Sequence, residues 1–276
     1  MPKLTISSET LLGKLLCCCA AAWLLAGSVF GQANPPDLEA QYVSRIAGGD
    51  EETRLSGLVE LSNLFKSARR EPRPATVAAL IQVLRNDAQP VLRTHAARVL
   101  EYAAPSSAPS SVNDALLTAL AAERETATRK AVIYALARYH AASVTAALIP
   151  LLKHKEVELR ATAAYALAEL ADTAASSALH ECLVKRRGDK DAFTRAEAAR
   201  ALGRIGYRFA VPDLRKALLK DSPIVRRAAA EALGWLATSS DQEALAALRE
   251  AAANEDPYLR IAATLALQRI SQRQPS

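Results

Sequence analysis

Aromatic side chains are scarce: 4 Phe, 7 Tyr and 2 Trp make up 5% of 276 residues, although half of the chain is hydrophobic. The apolar content is therefore largely Ala and Leu, with few large rings to fill a deep globular core. The 10 Gly and 13 Pro are also few, which argues against collagen-like, low-complexity or many-turned all-β chains. Cysteine is nearly missing from the body of the chain. Cys17, Cys18 and Cys19 form one run near the start, and Cys182 stands alone. One thiol makes no intramolecular disulfide, so the rest of the chain has no disulfide framework. Cys182 reads as a small buried hydrophobe, with a dimer-forming thiol as the alternative. Charged residues at 23% with a clear apolar pattern argue against wholesale disorder. What is abundant, Ala, Leu, Arg and Glu, favours helix, so the expectation is an all-α chain.

The first residues read as an address rather than as part of the fold. Lys3 and Lys14 stand against Glu9, an uncharged run spans Leu15 to Phe30, and small residues follow at Gly31 and Ala33. A positive start, a short apolar stretch and a small-residue exit predict a secretory signal over residues 1–33, cut after Gly31 or Ala33. The run falls short of the roughly 20 residues a spanning helix needs. An uncleaved anchor and a lipidated Cys are the alternatives. The cysteine run lacks the small residue that a bacterial lipid-attachment site places before its Cys.

The remainder is one pattern repeated. Seven segments align on Arg54, Arg93, Arg129, Arg160, Arg195, Arg226 and Arg260. Apolar or small residues follow three, four, seven and ten places after each Arg, as in Ala229, Ala230, Leu233 and Leu236 after Arg226, which is helical period. The first copy, Gly57, Leu58, Leu61 and Leu64, keeps the spacing without the Ala-rich signature. A second apolar helix precedes the Arg-bearing one, as in PATVAALIQVLR and VTAALIPLLK. Pro90, Pro223 and Pro257 fit first helical positions, Ser222 and Asp256 fit caps, and Ser240 with Glu243 fits a capping box. Helix pairs at this period bury their faces only by stacking. The boundaries expected are a signal at 1–33, a solenoid at 34–271 and a tail at 272–276. Insertions at 68–74 and 104–111 lengthen two joints.

The motif around Asp221, Val225, Arg226, Ala229, Leu233 and Gly234 recurs at Arg195, Ala198, Ala199, Leu202 and Gly203. On these residues the chain resembles HEAT repeats, in particular the short PBS-lyase-like HEAT family, over roughly residues 37 to 271. The resemblance implies a right-handed α-solenoid of about seven helix pairs that mostly mediates binding. It also implies a ladder of Arg–acid contacts between repeats. The acids that precede each Arg are Asp50, Asp87, Glu125, Glu156, Asp191, Asp221 and Asp256.

Residues that carry chemistry are thin. His95, His140, His154 and His180 lie far apart, and none pairs with Cys or carboxylates at metal-ligand spacing. No nucleophile elbow, zinc motif or phosphate-cradling Gly loop is present. Some HEAT-like hydroxylases hold two irons with several His-Glu pairs; this chain has only His180–Glu181. Bilin lyases share such repeats, but the export signal points away from that chemistry. Arg187–Gly188–Asp189 spells an integrin-recognised tripeptide and reads as a chance match. No catalytic residue, metal or cofactor is therefore expected.

One helix face is informative. Five places after each anchor, flanked by places one and nine, fall Arg98, Tyr102, Lys130, Tyr134, Arg138, Tyr165, Arg200, Arg204, Arg227, Trp235 and Arg269, against the acids Glu169 and Glu231. This surplus of five bases equals the net charge left when residues 1–33 are removed from a chain of net charge +6. The resemblance puts the face on the concave side of the stack. Arg, Tyr and Trp often carry binding energy, so these residues are the expected partner-binding set, and a plain solvated face is the competing reading. The leading function is an exported, non-catalytic scaffold for a protein with acidic segments or another anionic polymer. Nucleic acid fits a basic groove, but export disfavours it. The alternatives are an enzyme or enzyme accessory related to HEAT-like lyases and oxidoreductases, and a structural part of an envelope complex.

Overall fold

The structure is a computed structural model that describes residues 37–68, 71–103, 110–184 and 189–273. The expected signal lies outside them, as do residues 69–70 and 104–109 of the two insertions, Arg187 and Gly188 of the tripeptide, and residues 274–276 of the tail. The chain divides into residues 1–41 and 42–276. Of the first unit only the opening of one helix is described.

Fourteen α-helices follow one another, with no strand among the described residues. They are α1 (Leu38–Gly48), α2 (Glu51–Ala68), α3 (Pro74–Asn86), α4 (Pro90–Tyr102), α5 (Ser110–Ala122), α6 (Thr126–Leu136), α7 (Ala142–Leu148), α8 (Val157–Leu170), α9 (Ser176–Leu183), α10 (Ala192–Ile205), α11 (Val211–Lys220), α12 (Pro223–Leu236), α13 (Gln242–Ala252) and α14 (Pro257–Gln272). Each anchor Arg lies on an even-numbered helix. Even helices pack on the even helices before and after them, and odd helices form a second layer against them. These contacts give six of the expected pairs, and α1 meets α2 where Gly57 lies against Ile46 and the Tyr42 carbonyl. The short α9, SSALHECL, completes the fifth.

Local chemistry explains the breaks. Pro90, Pro223 and Pro257 open α4, α12 and α14, where a missing N–H costs nothing. Pro150 sits where α7 gives way to a 3-10 turn, Ile149–Lys153, because it has no N–H to continue the α ladder. Gly206, at φ 84°, closes α10, with the Tyr207 N–H donating to Leu202 O at 3.1 Å. Two expected caps differ. Ser222 flanks α12 without a side-chain cap, and its hydroxyl is buried without a partner. The Ser240–Glu243 box does not form: α13 starts later, and Ser240 Oγ meets Thr238 Oγ1 at 2.8 Å instead. Asp256 does cap α14, accepting from the Tyr258 N–H at 3.0 Å.

The stripe reading holds. Leu61, Leu100, Leu136, Leu167, Leu202 and Leu233 are buried in one continuous core. Small residues let the even helices approach closely. A methyl group on Gly234 would sit 2.8 Å from both Cα and Cβ of Ala266, and one on Gly203 would sit 2.8 Å from Ala232 Cα.

Candidate partner-binding face

The anchor arginines set the frame on which the face is hung. Arg93 spends Nη1 on carbonyls of its own repeat, Asp87 at 2.8 Å and Ala88 at 3.1 Å, and gives Nε and Nη2 to the Glu123 carboxylate at 2.7 and 3.0 Å. Arg160 does the same with the His154 and Lys155 carbonyls and the Asp189 carboxylate. Arg195 does so with the Asp189 and Lys190 carbonyls and with Asp221. Arg54 donates to Asp87. This is the ladder the resemblance implied, but in a different register. Glu123 and Asp189, not Glu125 and Asp191, receive the guanidinium. Asp191 caps its own α10 instead, accepting from the Thr194 N–H at 2.7 Å. Asp87, Glu123 and Asp189 also accept an N–H two residues on, as Asp189 does from Asp191 at 2.8 Å, and Asp221 accepts one from Ser222 at 2.7 Å, since Pro223 has none; this satisfies a loop donor and fixes the carboxylate for its Arg. Asp189 is therefore structural, consistent with a chance tripeptide.

Two rungs depart. Arg129 Nη1 lies 3.1 Å from His154 Nε2. The other ring nitrogen, Nδ1, accepts the Glu156 N–H at 3.1 Å. A neutral ring that accepts at Nδ1 carries its hydrogen on Nε2, so two donors face each other. Arg129 Nε is buried without a partner. Asn254 occupies the last acid place, and Arg226 turns its Nε to Leu218 O at 2.9 Å. There Arg227 bridges to Asp256 at 3.0 Å instead.

The expected binding residues lie on the even helices, except Arg138 in the turn after α6, but their charge is not free. Lys130 pairs with Glu158 at 2.5 Å, Arg200 with Glu231 at 2.9 Å and Glu197 at 2.7 Å, Arg204 with Glu169, and Arg227 with Asp256. Places one, five and nine missed Glu101, Glu158, Glu197 and Asp256. Place one is also less exposed than expected: Thr94, Ala161 and Ala196 are buried. Thr94 instead meets Thr128 across the repeat joint, Oγ1 to Oγ1 at 2.8 Å. The face is therefore two regions.

In the C-terminal region, the bases of α10 and α12 are matched by acids of neighbouring helices. Burial pushes the Glu197 carboxyl up, against the pull of Arg200. Arg269 lies over the Trp235 ring at 5.2 Å, and Arg227 over Tyr258 at 4.7 Å, which fixes these rings more than it frees them. In the N-terminal region three bases act on one half-buried acid without a direct ion pair among the described residues. Burial pushes Glu101 up, while Arg138, Arg98 and Lys66 pull it down. Lys66, which the sequence reading omitted, lies 4.2 Å from the Tyr102 ring centre. Tyr134 and Tyr165 meet edge to face at 5.6 Å beside this cluster, and burial, with Glu169, Tyr134 and Glu101, raises the Tyr165 phenol. Arg98, Tyr102, Arg138 and Tyr165 are exposed.

Elsewhere, burial pushes the Cys182 thiol up to about 11, which makes it a poor thiolate at neutral pH. Among the described residues, no three His, Cys, Asp or Glu side chains are placed to hold a metal, and no helix is long and apolar enough to cross a membrane.

Two layers of stacked helix pairs, tied by an Arg–acid ladder and presenting one mixed charged and aromatic face, define a helical-repeat scaffold. A family model for HEAT repeats matches residues 113–192 and again residues 183–268, over half of the chain. The protein belongs to the HEAT repeat family. No curated protein matches the sequence. Among solved structures, an engineered protein is similar at 24% identity, covering 86% of this chain and 98% of its own, with a TM-score of 0.43. The complex of CpcE and CpcF of phycocyanin lyase from Nostoc is similar at 19% identity, covering 90% of this chain and 92% of its own, with a TM-score of 0.46.

Proposed function

We propose that the protein is an exported, non-catalytic HEAT-repeat scaffold that binds an acidic segment of a protein partner on the face read as concave. The observation that carries this reading is the exposed pair Arg98 and Arg138, with Lys66 over the Tyr102 ring and the Tyr134–Tyr165 edge-to-face pair, where Glu101 is the acid on which all three bases act. It pairs surplus positive charge with rings that supply apolar contact area. The bases on α10 and α12 already have acids, so they serve the stack before they serve a partner. This moves the centre of the binding set from Arg200, Arg204, Arg227 and Trp235 to the N-terminal helix pairs.

The test is capture of the partner with the full chain, followed by titration against variants. Arg98→Glu with Arg138→Glu is expected to weaken binding at least tenfold and to flatten its salt dependence, because exposed charge–charge attraction is screened by salt. Arg249→Glu, an exposed position on α13 in the other layer, is expected to change nothing. Equal binding by the double variant and the parent would discard this face. Export rests on residues 1–33. Sequencing of the mature protein is expected to begin at Gln32 or Asn34, and a cytosolic protein starting at Met1 refutes it.

A further inference from the structure

We infer that the outer face of α14 is a second docking surface, shaped to receive a helix of another protein with an acidic residue one or two places before its N-cap. The pose of Arg260 points to it. In Arg93, Arg160 and Arg195, Nη1 holds the carbonyls six and five residues earlier, and this leaves Nε and Nη2 as a fork for the next repeat's carboxylate. Arg260 Nη1 holds the same two places, Asn254 O at 3.2 Å and Glu255 O at 3.4 Å. The pose is not automatic, since Arg226 abandons it for Leu218 O. Among the described residues no carboxylate meets the Nε and Nη2 of Arg260, and the side chain is exposed. A guanidinium held by its back edge is a ready bidentate receptor for a carboxylate.

The surroundings match. Ile261 is 58% and Leu265 47% exposed, one and five places after the anchor. Thr264, four places after it, is exposed too, whereas the same place is buried at Ala97, Ile133, Ala164, Ala199 and Ala230. At place one, where Thr94, Ala161 and Ala196 are buried, and at place four, the end helix thus shows to solvent what interior helices bury, and Leu265 extends this apolar surface onto place five, which is open on interior helices too. The interior junctions also specify the occupant. The acids that fill the fork sit one or two residues before a helix cap, as Asp221 does before Ser222 and Asp189 before Asp191. The same face of a second copy is a poor fit: residues 257–273 contain Arg260, Arg269 and Arg273 and no acid, so two such faces repel.

The probe is a synthetic peptide copying residues 207–237, which carries Asp221 and the interior stacking face, titrated against the full chain. Binding is expected for the parent. Ile261→Asp with Leu265→Asp should weaken it at least tenfold, and Arg260→Glu at least fivefold. A probe bearing Asp221→Arg should bind the Arg260→Glu chain better than the unchanged probe does. That exchange of charges excludes loss of folding as the cause, and thermal melts of the exposed-site variants should overlay the parent's. Arg98→Glu with Arg138→Glu should bind the probe like the parent, so this surface and the proposed partner face fail independently. No binding by the parent, an Arg260→Glu chain indistinguishable from it, or no recovery with the charge-exchanged probe would overturn the inference. Sedimentation of the parent as a dimer that Ile261→Asp with Leu265→Asp dissolves would assign the face to a second copy instead.

Discussion

One place, six residues before the anchor Arg, decides how well neighbouring pairs are joined. Glu123 and Asp189 fill it with a carboxylate, and His154 fills it with a ring that accepts at Nδ1 and has no acceptor left for Arg129. The Glu123 case shows what a carboxylate adds. Burial alone pushes its carboxyl up, yet hydrogen bonds from Arg93 and from the N–H groups of Glu125 and Arg124 outweigh that and hold it below the usual range. Replacing His154→Asp should therefore give Arg129 a charged acceptor while keeping the bond from the Glu156 N–H. A charge-assisted hydrogen bond contributes about 1.5–3 kcal/mol, so stability should rise by about that much in denaturant melts at neutral pH. An unchanged or lowered midpoint would mean that the His154 joint is already satisfied. The sequence showed that acids precede the arginines. It did not show which acid is gripped, because Asp189 and Asp191 both lie within reach on paper. Only the fold of the intervening turn puts one on the neighbouring Arg and the other on its own helix start.

At the scale of elements, glycine on a helix is usually a cost. Alanine is favoured over it by about 1 kcal/mol in a helix interior. Gly234 on α12 should behave the other way, because an added methyl group would meet both Cα and Cβ of Ala266 on α14 at 2.8 Å, and backbone cannot swing aside as a side chain can. Gly234→Ala is expected to lose about 1–3 kcal/mol through overpacking, while Gly48→Ala, with nothing within 4 Å of the new atom, should be near neutral. Equal melting of the two variants would contradict the close approach of even helices. These glycines were visible as motif positions, and their reason was not, since a helix pattern does not state how near the next helix lies. The short α9 is the helix expected before Arg195, with little apolar surface of its own. Its eight residues hold few large apolar side chains, and it is kept in place by burial of Leu179, Cys182 and Leu183 in the shared core.

For the whole molecule, periodicity carried the architecture. Seven anchors at near-constant spacing gave the helix pairs, their order and the buried stripe, because each pair repeats the same physical problem and solution. Charge was harder to read. Sampling one face at three places per helix counted the bases and missed Glu101, Glu158, Glu197 and Asp256, which reach them from neighbouring places and neighbouring helices. The weak His154 joint has a consequence for how the molecule comes apart. In a stack each pair is coupled only to its neighbours, so a poor joint divides one cooperative transition into two. Helices α8 to α14, with the intact Asp189 and Asp221 rungs and the close glycine contacts, form one block. Helices α2 to α6, with the Asp87 and Glu123 rungs, form the other. Amide protons should then exchange in two groups with a step between Arg129 and Arg160. Under slow heating the N-terminal block, which carries Lys66, Arg98 and Tyr134 of the proposed acidic-segment site, should open while the C-terminal block, with Tyr165, is still folded.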